Sequence, residues 1–137
     1  EMFFAEKGQG SYMNDTRLRV SGRYKMIEGL FSTGMPFGGR SDLPETLKEL
    51  GRLLPVCSGV RRFGAAALDL AYVAAGRYDG FWERNLNAWD IAAGVIIVKE
   101  AGGLVEPVTQ GHNIIEDGEV ICANDAMFSQ LAKIVRA

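Results

Sequence analysis

Residues 87–101 constrain this chain more than any other stretch. Trp89, Ile91, Val95, Ile96, Ile97 and Val98 put large apolar side chains on nearly every face of the helix they predict, which Gly102-Gly103 closes. A helix that is apolar almost all the way round is normally buried. Its only early charge is Asp90, in the first turn, where the positive end of the helix dipole favours a carboxylate.

The surrounding pattern alternates. Residues 60–63 predict a strand, 64–75 an alanine- and leucine-rich helix ended by Gly76, 78–83 a strand, 104–108 and 120–123 two more strands. Asn124 or Asp125 is placed to cap a last helix running to residue 135. Further upstream, Ser41 or Asp42 can cap a helix with Pro44 in its first turn, and Leu43, Leu47, Leu50, Leu53 and Leu54 then recur at helical spacing. Residues 32–39, Ser-Thr-Gly-Met-Pro-Phe-Gly-Gly, predict a loop of structure breakers after the short apolar stretch 26–31. Strands alternating with helices of this length indicate a layered α/β domain.

The opening differs. Residues 2–5 and 11–13 are strand-like on either side of the turn Glu6-Lys7-Gly8-Gln9-Gly10, and after Asn14-Asp15 residues 16–20 alternate polar and apolar. This is an antiparallel meander occupying residues 1–24, with a boundary at 21–24 before the α/β part at 25–137. The chain starts Glu1-Met2-Phe3 in what reads as mid-strand, so a longer parent protein is expected, with more strands of the meander's sheet upstream.

Composition narrows the chemistry. In 137 residues the formal net charge is −2 and no run of Lys or Arg stands out, so nothing marks a direct nucleic-acid surface. The longest apolar run, residues 91–98, is too short to cross a bilayer. Cys57 and Cys122 lie far apart and outside metal-ligand spacing, and are read as buried thiols of a reducing cytoplasm. The single histidine, His112, excludes a site of several imidazoles and is read as a structural hydrogen-bonding group in its loop. Any chemistry must therefore run on carboxylates and backbone groups, with or without a metal.

Two places fit that demand. Asp90 at the mouth of a buried helix suits a hard cation, because magnesium takes oxygen ligands; it can equally do no more than complete the helix end. Glu83, seven residues earlier at a strand end among aromatics, can share a cleft with Asp90 or stand as a solvated charge. The second place is Arg61-Arg62-Phe63-Gly64-Ala65-Ala66, where a strand turns into a helix. Small residues there leave backbone N–H groups open to an anion or a hydroxyl oxygen, or merely allow tight helix–sheet packing. Asp69, in an otherwise apolar helix, is read as a satisfied structural carboxylate.

Trp89-Asp90-Ile91-Ala92-Ala93-Gly94 followed by Glu100-Ala101-Gly102-Gly103 resembles the carboxy-terminal signature of the inositol monophosphatases. Residues 64–77 with Asp79-Gly80-Phe81-Trp82-Glu83 resemble the bacterial branch, including the extragenic-suppressor type, and the likeness extends from Ala5-Glu6-Lys7-Gly8-Gln9-Gly10 through Thr33-Gly34-Met35-Pro36-Phe37 to the last helix. The resemblance implies a layered α/β/α/β sugar-phosphatase-type sandwich. It further implies a Mg2+-dependent hydrolase of inositol monophosphate or similar small phosphate monoesters, with no covalent phospho-enzyme and with lithium sensitivity. By it, Asp90 is a magnesium ligand, Glu83 hydrogen-bonds an inositol hydroxyl, the backbone of Gly64, Ala65 and Ala66 contacts substrate, and Arg61 assists substrate binding. Ala65 replaces a residue that often carries a hydroxyl in relatives. Relatives acting on fructose bisphosphate or adenosine bisphosphate are the alternative, against which Glu83 favours an inositol pocket. The resemblance also implies a homodimer, and for the suppressor branch a scaffold role with the transcription and ribosomal RNA machinery. One departure is large: the family's Asp-Pro-(Ile/Leu)-Asp-Gly-Thr motif and its other metal-ligating glutamate are absent from these residues. The chain by itself is therefore expected to be inactive.

Overall fold

A computed structural model describes residues 1–34 and 43–137. The proposed capping residues Ser41 and Asp42, and Met35-Pro36-Phe37, lie outside the described residues. The opening meander is a three-stranded antiparallel sheet of β1 (Phe3–Glu6), β2 (Gly10–Met13) and β3 (Thr16–Arg17) in that order. The third strand is only two residues long, not the five expected: Leu18 still donates to the Ser11 carbonyl at 2.7 Å, but Val20 turns away to donate to the Ala101 carbonyl at 3.0 Å and packs on the core. After a single 3-10 turn at Met26–Glu28 come β4 (Leu30–Thr33), α1 (Leu43–Leu53), β5 (Gly59–Arg61), α2 (Ala66–Ala74) and β6 (Gly80–Glu83). Then follow α3 (Ala88–Glu100), β7 (Leu104–Glu106), α4 (Ile114–Asp117), β8 (Val120–Ala123) and α5 (Phe128–Val135).

The second sheet has five strands in the order β5-β4-β6-β8-β7. Strand β4 is parallel to β5 and β6, while β8 is antiparallel to β6 and β7. Strand alternation sorts its side chains between two cores. Phe81, Val120 and Cys122 face α2 and α3, whose Leu70, Val73, Ile91 and Val98 are buried against them. Phe31, Trp82, Ile121 and Ala123 face the opposite way, onto Leu50 and Leu53 of α1 and Phe128, Leu131 and Val135 of α5. Phe3, Ala5 and Met13 of the meander close the far side of the first core. The layers are thus meander, α2 with α3, mixed sheet, and α1 with α5: the four-layered α/β sandwich expected. Each fully buried Leu, Ile or Phe contributes roughly 1.5–3 kcal/mol.

Several particulars depart from the sequence reading. Ser32 and Thr33 are the buried end of β4, not loop. The Thr33 hydroxyl donates to the Trp82 carbonyl at 2.7 Å, which lets a polar residue complete the strand. Helix α1 turns Thr46, Glu49, Leu50 and Leu53 inward and leaves Leu43, Leu47 and the following Leu54 exposed, because a buried ion pair competes with leucine for the inner face. Strand β7 stops at Glu106 because Pro107 has no N–H to pair. Helix α5 begins a turn late: Asn124 accepts the Met127 N–H at 2.8 Å and holds residues 124–127 in a turn. The short helix α4 carried no periodic signal, and its start is set by Asn113, whose side chain accepts the N–H groups of Ile115 and Glu116. Helix α3 is not buried on every face. Ile91, Gly94, Val95, Ile97 and Val98 are inside, but Trp89 is 81% and Ile96 43% exposed.

Polar clamps join the layers. Glu100, at the end of α3, accepts the Gly10 N–H at 2.9 Å, tying the first turn of the meander to the helix. Asp79 is fully buried and accepts from Ser21, Arg23 and the Leu30 N–H, so the segment linking the two sheets is fixed to the start of β6. Gly94 lets α2 and α3 close on each other, since a Cβ there would lie 2.5 Å from Leu70.

Candidate functional site

Strand β4 is the one whose following helix, α1, lies on the far face of the sheet; β5 and β6, its parallel neighbours, lead to α2 and α3 on the near face. Where connections part in this way, the carboxyl ends of parallel strands open into a crevice that α/β proteins use for ligands. The residues at this edge are Thr33 ending β4 with Gly34 after it, Arg61 ending β5 with residues 62–65 after it, and Glu83 ending β6.

Glu83 and Gly34 meet there. A side chain at Gly34 would coincide with the Glu83 carboxylate, so the glycine is what leaves room for it. Phe81 and Glu83 share one face of β6, and Trp82 points to the other. The beginning of α2 stands beside this edge. Gly64 has φ +83° and Ala65 is the extended N-cap with no side-chain cap, so the first helical N–H groups meet no side chain of their own helix end. Gly64 and Ala65 are exposed and Ala66 is buried against the core. Arg61 is exposed, with its guanidinium folded back over Gly59 toward the start of β5.

Asp90 is the third residue of α3. Its Oδ2 accepts the Asn87 N–H at 2.9 Å, so the helix-completing role is real, and Oδ1 takes no hydrogen bond from the described residues. Among the described residues no three of His, Cys, Asp and Glu converge as a metal site. Magnesium asks for a near-octahedral oxygen shell, so Asp90 fits as one contributor and not as a site in itself.

Sequence reasoning missed three features. Glu49 is 1% exposed, and its two oxygens accept from Trp82 Nε1 at 3.1 Å and from Arg84 at 2.9 and 2.7 Å. Only its slot beside Leu50 on the inner stripe could have signalled this. Gly34 was read as a breaker. Asp69, read as satisfied, is 1% exposed with neither oxygen in hydrogen-bond geometry with a donor, and burial pushes its carboxyl up to about 6 although the nearby Ser32 hydroxyl draws it down somewhat. His112 Nδ1 lies 3.3 Å from the Glu119 carboxylate, which also accepts the Thr109 N–H. Both cysteines are free and buried, and burial pushes each thiol up. No described helix is long and apolar enough to cross a membrane.

The fold is that of a layered α/β protein in which Glu83 sits against Gly34 where β4 and β6 end. The whole chain, residues 1–137, matches the Inositol monophosphatase family, and it belongs to that family. It is 48% identical over 136 residues to an inositol-1-monophosphatase of Mesorhizobium japonicum, covering 99% of this chain and 51% of that protein. It is 45% identical over 138 residues to the Nus factor SuhB of Pseudomonas aeruginosa, covering 99% of this chain and 51% of that one. The crystal structure of the extragenic suppressor protein suhB from Bartonella henselae superposes with a TM-score of 0.92 at 45% identity, covering 98% of this chain and 52% of that one. The chain thus spans about half the length of the relatives it matches.

Proposed function

We propose that this chain is the carboxy-terminal part of a magnesium-dependent phosphatase that hydrolyses inositol monophosphate or a similar small phosphate monoester. The observation that carries this reading is the seating of Glu83 over Gly34 at the crevice where β4 and β6 end. There the Glu83 carboxylate accepts hydrogen bonds from ring hydroxyls, a contact that leaves the phosphate free to point toward the helix starts. The N–H groups at the start of α2, around Gly64, Ala65 and Ala66, donate to substrate oxygens, and the small side chains let the substrate approach. Arg61 adds positive charge beside that edge once its guanidinium swings off Gly59. Asp90 would hold a magnesium ion together with ligands from elsewhere in the full-length protein, while its Oδ2 keeps the helix end closed. Such an ion would supply an activated water and stabilisation of the leaving oxygen. Lithium sensitivity and a homodimer accompany this reading, and relatives specific for fructose or adenosine bisphosphate are the nearest alternatives.

The test is inositol-1-phosphate hydrolysis by the full-length protein with and without magnesium. Activity that requires magnesium and falls at least about a thousandfold in Asp90→Asn supports the reading; a loss of one transition-state electrostatic contact is of that size. Unchanged activity in the variant ends it.

A relative named as a Nus factor favours a second reading, in which the protein is a partner of the transcription machinery in the cytoplasm. Capture of transcription components that survives Asp90→Asn would separate that role from hydrolysis.

A further inference from the structure

Glu49 grips both neighbours of Glu83. Trp82 of β6 and Arg84, the residue just past its end, reach toward α1, where the Glu49 carboxylate accepts the indole N–H at 3.1 Å and two guanidinium N–H groups at 2.9 and 2.7 Å. Glu83 projects from the other face, over Gly34. The loop that follows is pinned a second time: the Leu86 N–H donates to the Gly118 carbonyl at 2.8 Å, and Asn85 takes φ +60° between the two pins. Asn87 then starts α3 and meets Asp90. The short path from Glu83 to Asp90 is therefore held from α1 on one side and from residue 118 on the other.

Stability does not require this arrangement. Burying a carboxylate with a guanidinium that is itself largely covered, here 1% and 22% exposed, gains little over a well-packed apolar pair, because desolvation offsets the attraction. What a bidentate pair adds is a fixed geometry. Trp82 and Arg84 alternate with Glu83, so fixing those two side chains fixes the rotation of the strand about its axis, and with it the direction in which Glu83 leaves the sheet.

We propose that Glu49, with Arg84, is a positioning residue for Glu83: it orients the end of β6 so that the Glu83 carboxylate faces the crevice above Gly34 and selects a hydroxyl-bearing substrate. This rests on the phosphatase reading above.

The test compares full-length wild type, Glu49→Leu, Glu49→Gln, Glu83→Gln and the Glu49→Leu/Glu83→Gln double variant. Two substrates are used: inositol-1-phosphate, and p-nitrophenyl phosphate, which has no ring hydroxyl to hold. Glu49→Leu is expected to raise KM for inositol-1-phosphate about tenfold, the size of one charge-assisted hydrogen bond, with kcat within about twofold. The constants for p-nitrophenyl phosphate should move by no more than about twofold, because the Leu86–Gly118 and Asn87–Asp90 bonds hold the start of α3 without Glu49. The double variant should be no worse than Glu83→Gln alone, since the two act on one contact, and Glu49→Gln should recover part of the loss because its amide oxygen still accepts. Equal effects on both substrates, or multiplying effects in the double variant, would overturn the proposal. If Glu49→Leu does not fold, the selective KM rise is read in Glu49→Gln against the same criteria. Amide hydrogen exchange at residues 84–86, taken relative to the buried amides of α3 in the same variant so that any loss of global stability cancels, decides independently of any activity: a ratio at least about tenfold higher in the Glu49 variants supports the pin, and an unchanged ratio overturns it. If wild type hydrolyses neither substrate, the phosphatase reading fails, and the exchange result still stands for or against the pin.

Discussion

Asp69→Asn should stabilise the protein above pH 6, although it alters a fully buried acid. The carboxyl sits in the first turn of α2 over a row of the mixed sheet in which Ser32, Phe81 and Cys122 are register neighbours. Neither oxygen finds a donor, and burial is the first cause of its rise from 3.8 to about 6. A carboxyl moved that far penalises the folded, ionised state by at most about 3 kcal/mol, less what solvent and the Ser32 hydroxyl screen. The direction follows from the protonated form being favoured in the fold: that stability is fully present below pH 3.8 and is lost as the pH rises through about 6. The neighbouring ionisable groups, Tyr78 and Cys122, are both pushed up by burial and stay neutral across this range. Asparagine carries no charge at any of these pH values and keeps the shape. Urea unfolding of wild type and variant at pH 4, 6 and 8 should show a gap that is near zero at pH 4 and grows to at most about 3 kcal/mol at pH 8. A gap independent of pH, or a variant less stable than wild type at pH 8, would refute the account of Asp69 as a buried, unpaired acid.

Other outcomes follow from single contacts. Gly34→Ala should displace the Glu83 carboxylate and raise KM for inositol-1-phosphate while sparing p-nitrophenyl phosphate, as steady-state kinetics will show. Gly118→Ala places a Cβ on the Leu86 carbonyl at φ +65°, and should lower stability by about 1–3 kcal/mol in a denaturant titration. Glu100 is held below its ordinary range by the N–H groups of Gly8 and Gly10. Its hold on the meander is therefore present above the unfolded value of 4.5 and is lost as the pH falls through the lower folded value, so exchange at the Gly10 amide, corrected for intrinsic rate, should accelerate there.

Much of this fold could be read from residues whose neighbours in sequence are their determinants. The meander, the apolar inner face of α3 and the helix-ending glycines depend on local spacing, and they stand where the pattern put them. What could not be read depends on pairing across long separations. Glu49 shares the inner face with Leu50 and Leu53 because Arg84 and Trp82 lie opposite it, while Leu43 and Leu47 stay outside. Ser32 and Thr33 look like loop residues until their bonds across the sheet are seen. Asp69 resembles any helix acid, and only burial reveals it. At the candidate site the side chains were legible one by one, as Glu83, Asp90 and the small residues 64–66. The seating of Glu83 against Gly34 was not, because it arises from the parallel pairing of β4 with β6.

The central claim is that this edge holds a hydroxylated phosphate monoester, and a crystal structure of the full-length protein with magnesium and inositol-1-phosphate tests it most directly. The account predicts an ion against Asp90 Oδ1, ring hydroxyls on Glu83, and substrate oxygens at the N–H groups that open α2. A ligand bound away from the ends of β4 and β6, or an ion that does not touch Asp90, would contradict it.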